Sequence, residues 1–268
     1  MIDKQNDIFV CGDTHGTYDI KKINKWYNKN NQKISENDIL VQLGDWAGLW
    51  YTKDEPRKYK KDCELHLKWA KKKFQLLVVP GNHENYDLIN NLEEKEIFGG
   101  KVKVLKPFNV YNKQKQYKEI YLLNRGEIYT INGNKILAIG SAKTNDKSTR
   151  IQGQSWWKEE ELSNEDKENT LKNLEIHNWE VDFVLTHTCP QKVGNKILKL
   201  SNYKLGEKEY HRLNSKTKDE TSIFFDFLIE KGLKFKEWHF GHWHLDKEYI
   251  VDDNKFFCHY NKEPKKIN

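Results

Sequence analysis

The stretch LLVVPGNHE, residues 76–84, sets the pattern on which the rest of the chain is built. Its apolar run, Leu76 to Val79, is continuous and is closed by Pro80-Gly81, which is typical of a buried strand that ends in a turn. An amide, an imidazole and a carboxylate follow at once in Asn82-His83-Glu84. In open α/β sheets the chemistry lies in loops after the carboxyl ends of strands, so this turn is a candidate site.

The same design, an apolar run followed by a turn that carries Asp or His, occurs at four other places. They are residues 8–11 before Gly12-Asp13-Thr14-His15-Gly16, 39–43 before Gly44-Asp45, 181–185 before Thr186-His187, and 235–240 before Gly241-His242-Trp243-His244. A single Asp after a strand usually caps a helix, and a single buried His usually packs in a core. The recurrence, rather than any one motif, indicates a functional site.

Helices and strands alternate along the rest of the chain, which predicts an α/β fold. Apolar spacing predicts helices over residues 18–28, 58–73, 84–92 and 219–231, and one that begins after an N-cap at Ser163. Short strands are predicted over residues 102–105, 120–123, 127–131 and 135–139, and we expect them to form a second sheet. We expect residues 188–218 to be an irregular lid or binding segment and the tail from Pro264 to be disordered.

The length and net charge of the chain limit the expected number of domains and the class of substrate. The 268 residues show neither an internal repeat nor a linker, so we expect one domain over residues 1–268. The net charge of +6, from 46 basic and 40 acidic residues, suits a phosphorylated substrate and gives weak support for nucleic acid. It is also what an ordinary lysine-rich surface would give.

Cysteine use and hydropathy bear on compartment. None of the four cysteines forms a Cys-x-x-Cys pair, which argues against a structural zinc site and suits a reducing compartment. The first ten residues do not resemble a signal peptide, and the sequence has no run of the ~18 apolar residues that a membrane helix requires. We therefore expect a soluble, cytoplasmic protein without a membrane partner.

The five turns occur in the order seen in the calcineurin-like metallophosphoesterases, and the chain resembles an uncharacterised bacterial or phage-type member of that superfamily. The motifs span residues 13 to 244, nearly the whole chain. The resemblance implies a four-layer α/β/β/α sandwich of two mixed β-sheets flanked by helices. It also implies two divalent metal ions, with manganese as the first choice and iron, zinc, nickel or magnesium as alternatives.

The resemblance further implies two ligand sets that share one carboxylate. One set is Asp13, His15, Asp45 and His244, and the other is Asp45, Asn82, His187 and His242. Carboxylate, imidazole and amide oxygen are suitable ligands for such ions. Asp13 and His15, like His242 and His244, are two residues apart, and in an extended segment such pairs point the same way.

His83 is expected beside the ions without binding them, as the catalytic residue. The resemblance implies attack in line on phosphorus by a hydroxide that bridges the metals, with His83 stabilising the phosphoryl oxygens or protonating the leaving oxygen. We expect a neighbouring carboxylate to keep its imidazole charged near neutral pH. Glu84 is expected to cap the following helix. Asn82 and His83 are also candidates for contact with substrate.

Two segments of the sequence bear on the class of substrate. The Asp-Arg pair that follows Gly-Asp in Ser/Thr protein phosphatases is absent after Asp45, so that substrate class is in doubt. The segment 140–161 resembles a loop of uncharacterised bacterial and phage-type relatives. In it, Arg150 could clamp a phosphate or merely brace the loop, and Trp156 and Trp157 could stack on a base or pack on the sheet.

Three functions follow as hypotheses. The first is hydrolysis of a phosphomonoester or small phosphodiester, with a nucleotide among the candidate substrates. The second is a metal-dependent nuclease, which would need a basic groove that the sequence does not show. The third is a non-catalytic binding protein, which would be expected to have lost ligands.

Overall fold

The computed structural model describes residues 6–112, 114–201, 214 and 219–267. Its helices are α1 (Lys21–Asn30), α2 (Pro56–Ala70), α3 (Tyr86–Asn90), α4 (Asn164–Ile176), α5 (Gln191–Ser201) and α6 (Glu220–Glu230). Its strands are β1 (Ile8–Cys11), β2 (Ile39–Leu43), β3 (Gln75–Val79), β4 (Glu93–Ile97), β5 (Gly100–Leu105), β6 (Ile120–Leu123), β7 (Glu127–Ile131), β8 (Asn134–Ile139), β9 (Phe183–Thr186), β10 (Glu237–Phe240), β11 (Lys247–Val251), β12 (Asn254–Cys258) and β13 (Lys265–Ile267).

The strands form two mixed sheets. The first has the order β13-β1-β2-β3-β6-β5-β4, in which β1, β2, β3 and β6 are parallel. The second has the order β11-β12-β10-β9-β8-β7, in which β12, β10, β9 and β8 are parallel. In each sheet the strands that precede the predicted site lie side by side, so their carboxyl ends share one edge.

Alternating side chains on these strands pack into different layers. Leu40 of β2 belongs to the cluster that includes Trp26 of α1 and Trp69 of α2, whereas Val41 packs between the sheets against the cluster of Leu185. Val184 of β9 belongs in turn to the cluster formed with α4, α5 and α6. These clusters separate the four layers, and the predicted α/β/β/α sandwich is confirmed.

Local signals in the sequence account for several element boundaries. Pro56 is the first residue of α2, where its missing N–H has no intrahelical partner to lose. Ser163 caps α4 with the predicted box, because its hydroxyl accepts from the N–H of Asp166 at 3.0 Å while that carboxylate accepts from the N–H of Ser163 at 2.9 Å. Asn132 and Gly133, both with positive φ, turn the hairpin of β7 and β8.

The prediction that residues 102–139 form the second sheet is wrong for half of the segment. Strands β5 and β6 lie in the first sheet, where β6 pairs parallel with β3, and only β7 and β8 lie in the second. The predicted helix over 84–92 ends at Asn90, and strand β4 follows at once. Because β4 is an edge strand, its charges stay exposed, and Glu94 pairs with Lys101 and Lys103 of β5.

Two further expectations are wrong. The tail is not disordered, since β13 pairs antiparallel with β1 and Ile267 is only 2% exposed. Residues 191–201 of the segment expected to be irregular form α5, whose Val193 and Ile197 pack under the second sheet. Most of the remainder, 202–213 and 215–218, lies outside the described residues, and so does any lid there.

All four cysteines are buried free thiols. Among the described helices, none has both the length and the hydropathy that crossing a bilayer requires.

Candidate metal centre

Turns from both sheets meet across the gap between them. Asp45, after β2, directs its Oδ1 to within 3.0 Å of His187 Nε2, after β9. His187 Nδ1 lies 3.6 Å from Asp13 Oδ1, after β1, and the N–H of His242, after β10, donates to that oxygen at 3.1 Å. The fold thus places polar groups from distant parts of the chain at one edge.

Two clusters of potential ligand atoms share Asp45. The ligand atoms of His15, Asp45 and His244 lie within 4.8 Å of one another, and those of Asp45, His187 and His242 do so as well. This division matches the two predicted ligand sets.

The remaining two predicted ligands border these clusters. Asp13 Oδ2 is 3.3 Å from His244 Nε2, and Asn82 Oδ1 is 3.1 Å from His187 Nε2. The structure therefore brings all seven predicted ligands together, while their role as ligands stays a prediction.

The hydrogen bonds of His187 indicate what fits between these groups. Its Nδ1 lies 2.8 Å from the carbonyl oxygen of Leu43, which can only accept, so Nδ1 carries the proton. In the neutral ring, Nε2 then presents a lone pair to Asp45 Oδ1 and Asn82 Oδ1. Three acceptors that face one another at about this separation repel unless a proton or a cation lies among them, and a divalent cation fits this set.

A second buried carboxylate oxygen, Asp13 Oδ2, faces a ring nitrogen of His244 at 3.3 Å. Asp13 is fully buried, and within the described part of the chain its Oδ2 accepts no hydrogen bond. A buried carboxylate oxygen left in this state is costly unless it is paired or coordinates a metal. This oxygen, with His15 and His244 nearby, fits a second cation.

Neighbouring groups orient the two half-buried histidines. His15 Nδ1 lies 2.7 Å from Asp19 Oδ2, which turns Nε2 toward Asp45 Oδ2 at 3.5 Å. The ring of His244 stacks on Tyr260, with centroids 4.5 Å apart and planes 10° from parallel. Such outer contacts fix the ring orientation and tautomer of a ligating histidine.

The backbone at the site is not extended, so the expectation that residues two apart point the same way from a straight segment is wrong. His15, Asp45, His242 and His244 all have positive φ, at 42°, 51°, 62° and 54°. Non-glycine residues adopt this left-handed region at a cost of roughly 1–2 kcal/mol each. Four such residues in one site indicate that the surrounding fold enforces the turns that aim these side chains.

Two glycines permit the close approach of these turns. Gly44 has φ of 82°, and a Cβ there would collide with the ring of His187. A Cβ on Gly81 would collide with the backbone nitrogen and the carboxylate of Asp45. These two glycines are therefore required for space, and Gly44 also for its conformation.

The two buried carboxylates differ in their electrostatics. Burial opposes ionisation of Asp45, but the nearby ring of His187 holds its pKa well below the usual range. Burial raises the pKa of Asp13, and His187 offsets only part of this effect. For His15, burial disfavours the charged ring, but Asp45 and Asp13 raise its pKa to about 9.

His83 lies beside the two clusters and belongs to neither. Its backbone N–H donates to Asp45 Oδ1 at 2.9 Å, and its Nε2 is 3.9 Å from Asp45 Oδ2. The expectation that a carboxylate keeps this ring charged is wrong in the metal-free chain. Burial lowers the pKa of His83, and Arg150 adds to this effect while Asp45 opposes it.

The expectation that Glu84 caps the following helix is wrong. Asn85 caps α3 by accepting from the N–H of Leu88 at 3.1 Å. The fully buried carboxylate of Glu84 instead accepts from the N–H groups of Trp46 and Ala47, at 2.8 and 3.2 Å. It therefore braces the turn that carries Asp45, and burial together with that neighbouring charge raises the pKa of Glu84 to about 8.

The loop between β8 and α4 contacts the site. Arg150 Nη1 lies 3.2 Å from His83 Nδ1. Trp157 is buried against Trp50, and its indole donates to Asp87 at 2.8 Å, so this residue packs rather than stacks on a ligand. Trp156 is half-buried under the ammonium group of Lys147.

Some residues that support the predicted ligands were not predicted from the sequence. Buried Lys22 of α1 donates to the carbonyl oxygens of Gly12, Asp13 and Tyr260, and so ties the turn after β1 to the chain under His244. Thr144 accepts from Asn82 Nδ2 at 3.1 Å, which leaves Oδ1 facing the site. The role of Asp19 could have been predicted, because it is a carboxylate four residues after His15. Lys22 and Thr144 lie in segments without a recognised motif, so nothing in the sequence indicated their roles.

Comparison with protein families gives a match for most of this chain. A family model described as calcineurin-like phosphoesterase matches residues 7–246. The comparison with curated proteins gives no match.

Solved structures show a distant similarity. A crystal structure of phosphopantetheinyl hydrolase from Mycobacterium tuberculosis is 12% identical, with a TM-score of 0.48 over 98% of this chain and 96% of that one. A second solved structure is 12% identical, with a TM-score of 0.46 over 94% of this chain and 89% of that one. At TM-scores below 0.5, neither similarity identifies a substrate.

Proposed function

This chain belongs to the calcineurin-like phosphoesterase family, and from that premise we propose that it hydrolyses phosphate esters with two divalent metal ions. The observation that supports this most directly is that Asp45 belongs to both clusters of potential ligands. We assign Asp13, His15, Asp45 and His244 to one ion and Asp45, Asn82, His187 and His242 to the other. We take residues 1–268 as a single catalytic domain.

The donor set bears on the choice of ion. It combines imidazole nitrogens with carboxylate and amide oxygens and contains no thiolate, which suits borderline and hard divalent ions rather than soft ones. We propose manganese as the working ion, with iron, zinc, nickel and magnesium as the alternatives to be tested against it.

When bound, such a pair of ions supplies a water of lowered pKa for attack on phosphorus and offsets the negative charge that develops there. The protein's part is to hold the charge between the ions and to bind the ester. Asp45 directs Oδ1 toward His187 and Oδ2 toward His15, so one carboxylate serves both positions. His15 and His244 are about a fifth and a third exposed, which leaves this side of the site open to an ester.

Three side chains are assigned to the ester itself. Asn82 and His83 follow β3 beside His187 and Asp45, and Arg150 lies against His83. His83 faces Asp45 through Nε2, the atom from which it would donate to a phosphoryl oxygen or to the leaving oxygen. Arg150 would add positive charge beside the phosphoryl group. We propose a phosphomonoester or a small phosphodiester, including nucleotides, as the substrate.

A substrate panel with added Mn²⁺ tests the proposal. It comprises nitrophenyl phosphate, bis-nitrophenyl phosphate, 2′,3′- and 3′,5′-cyclic nucleotides, dinucleoside polyphosphates and single-stranded DNA. Metal-dependent turnover of the small esters supports the proposal, and the ratio of monoester to diester turnover divides phosphatase from phosphodiesterase. Turnover of DNA alone would replace it with a nuclease, and no turnover of any ester with any of the five metals would reject it.

The role of Asp45 has its own test. Asp45→Asn removes the charge that we place between the ions, and we expect loss of turnover together with loss of at least one bound ion, measured by metal analysis after gel filtration. Asp54→Asn is the matched control, because Asp54 is exposed and forms its hydrogen bonds within its own turn, with Thr52. Full activity in Asp45→Asn would show that the shared carboxylate is misassigned.

A further inference from the structure

The guanidinium group of Arg150 is held in place before any substrate arrives. Its Nε donates to Asp146 Oδ1 at 2.7 Å, and its Nη1 donates to the carbonyl oxygen of Ser155 at 2.9 Å. The loop that carries it is itself closed, since the carbonyl oxygen of Ile151 accepts from the N–H of Ser155 at 2.9 Å. The side chain is only 18% exposed. Arg150 is thus a fixed group rather than a mobile surface residue.

The fixed guanidinium faces one particular nitrogen of His83. Arg150 Nη1 lies 3.2 Å from His83 Nδ1. A guanidinium group has donors and no acceptor, so Nδ1 must accept and carries no proton. The ring proton of neutral His83 then lies on Nε2, the nitrogen 3.9 Å from Asp45 Oδ2 and therefore turned toward the metal centre.

The same loop orients the neighbouring residue of the β3 turn. Thr144 accepts from Asn82 Nδ2, which fixes the side-chain amide with Oδ1 toward His187. One loop, between β8 and α4, therefore sets the hydrogen-bonding direction of two consecutive side chains beside the two clusters. This makes the Arg150 contact part of an organised surface rather than an isolated approach.

We propose that Arg150 is a positioning residue that fixes the tautomer of His83, with the ring proton on Nε2, from which it can donate a hydrogen bond to an oxygen of the ester. The identity of the acceptor, a phosphoryl or leaving-group oxygen, rests on the proposed function, whereas the tautomer does not. In this role Arg150 acts through His83, in addition to any contact of its own with the phosphate.

Nitrogen NMR of the imidazole rings tests the tautomer directly. The ¹⁵N-labelled protein is measured metal-free and with Zn²⁺, which is diamagnetic, at a pH where His83 is neutral, and His83→Gln assigns the signals. In the wild type we expect a protonated Nε2 and an unprotonated Nδ1. In Arg150→Met, which removes the donor and retains an apolar stem, we expect a mixture of tautomers.

A second variant tests the same contact independently, in case Arg150→Met does not fold. Asp146→Asn changes a half-exposed carboxylate that anchors Arg150, so we expect a smaller shift toward the other tautomer. Lys147→Met is the matched control, because it removes a positive charge from the same loop at a residue that pairs with Glu161. Unchanged His83 signals in both Arg150→Met and Asp146→Asn, or a protonated Nδ1 in the wild type, would overturn the proposal.

Kinetics separate positioning from simple phosphate binding. With aryl phosphates whose leaving groups differ in basicity, we expect kcat of Arg150→Met to fall about tenfold more for basic leaving groups than for nitrophenolate, because a hydrogen bond from Nε2 matters most where the leaving oxygen carries the most concentrated negative charge. A uniform rise in KM with no change in this dependence would show that Arg150 only binds phosphate. If the loaded enzyme hydrolyses no ester, the proposed function fails, while the NMR measurement still decides the tautomer.

Discussion

His15 illustrates how single residues of the site depend on their neighbours. It is half-buried between Asp19 and Asp45, with a carboxylate oxygen near each ring nitrogen. Burial by itself would make this ring neutral at physiological pH, but Asp45 and Asp13 raise its pKa to about 9. In the metal-free chain a proton therefore occupies a nitrogen that a metal ion would need.

Competition between protons and metal gives the first prediction. His187 is also affected, since Asp45 and Asp13 raise its pKa against the effect of burial. Because both rings must be neutral to ligate, we expect metal uptake at pH 7 to release protons and the apparent affinity to rise with pH up to about 9. Calorimetry in buffers of different ionisation enthalpy measures the release. Equal heats in all buffers at pH 7 would contradict it.

A second prediction concerns space at Gly44. Gly44→Ala places a methyl group in the ring of His187 and forces a left-handed φ on alanine, so we expect lost metal binding and a large fall in the free energy of unfolding. Gly133→Ala is the matched control, because its φ of 80° is nearly the same and its Cβ would meet nothing within 4 Å. That variant should lose only the conformational cost of about 1–2 kcal/mol and keep its metal. Similar metal loss in both variants would show that strain, not the collision, matters.

At the scale of elements, the strands that precede the site were predictable and the edges of the sheets were not. Strands β1, β2 and β3 are mostly apolar, because both faces of the sheet are covered, and such runs stand out from the sequence. Edge strand β4 is mostly charged and exposed, so it lacks any periodic apolar signal. Its sequence alone could not distinguish it from the end of a helix.

The sheet that a given strand joins could not be predicted from the sequence either. Strands β5 to β8 follow one another and are all short, yet β6 pairs with β3 and β8 pairs with β9. This choice depends on contacts between residues far apart in the chain, which local patterns do not record. The ligands were predicted from the resemblance that the motifs at the strand ends carry, whereas the positive φ values that aim them follow from packing of the whole site.

Strand β13 gives a prediction at this scale. Ile267 is buried beside β1, so we expect Ile267→Ala to lower the free energy of unfolding by about 2 kcal/mol or more. Ile250→Ala removes the same atoms from a strand residue that is 53% exposed, and we expect a change within about 0.5 kcal/mol. Urea unfolding followed by fluorescence measures both. Equal, small changes would indicate that β13 does not pair stably with β1 in solution.

For the whole molecule, the candidate centre joins the two sheets. The first sheet supplies Asp13, His15, Asp45 and Asn82, and the second supplies His187, His242 and His244. Without metal, this end of the interface holds buried carboxylates and imidazoles, whereas apolar residues fill the interface elsewhere. Bound ions would therefore hold the sheets together at the place where apolar packing is absent.

The last prediction follows from this arrangement. Because the site requires both sheets in place, metal binds the folded chain far better than the unfolded one, and a free concentration of 100 times Kd should stabilise it by about 2.7 kcal/mol. Thermal unfolding with and without Mn²⁺ measures this, and hydrogen exchange should slow in the turns after β2 and β9 together. Asp45→Asn should lose most of the gain, while Asp54→Asn keeps it. If slower exchange appeared in the turns of one sheet only, the ions would not bridge the interface, and the assignment of ligands to both sheets would be wrong.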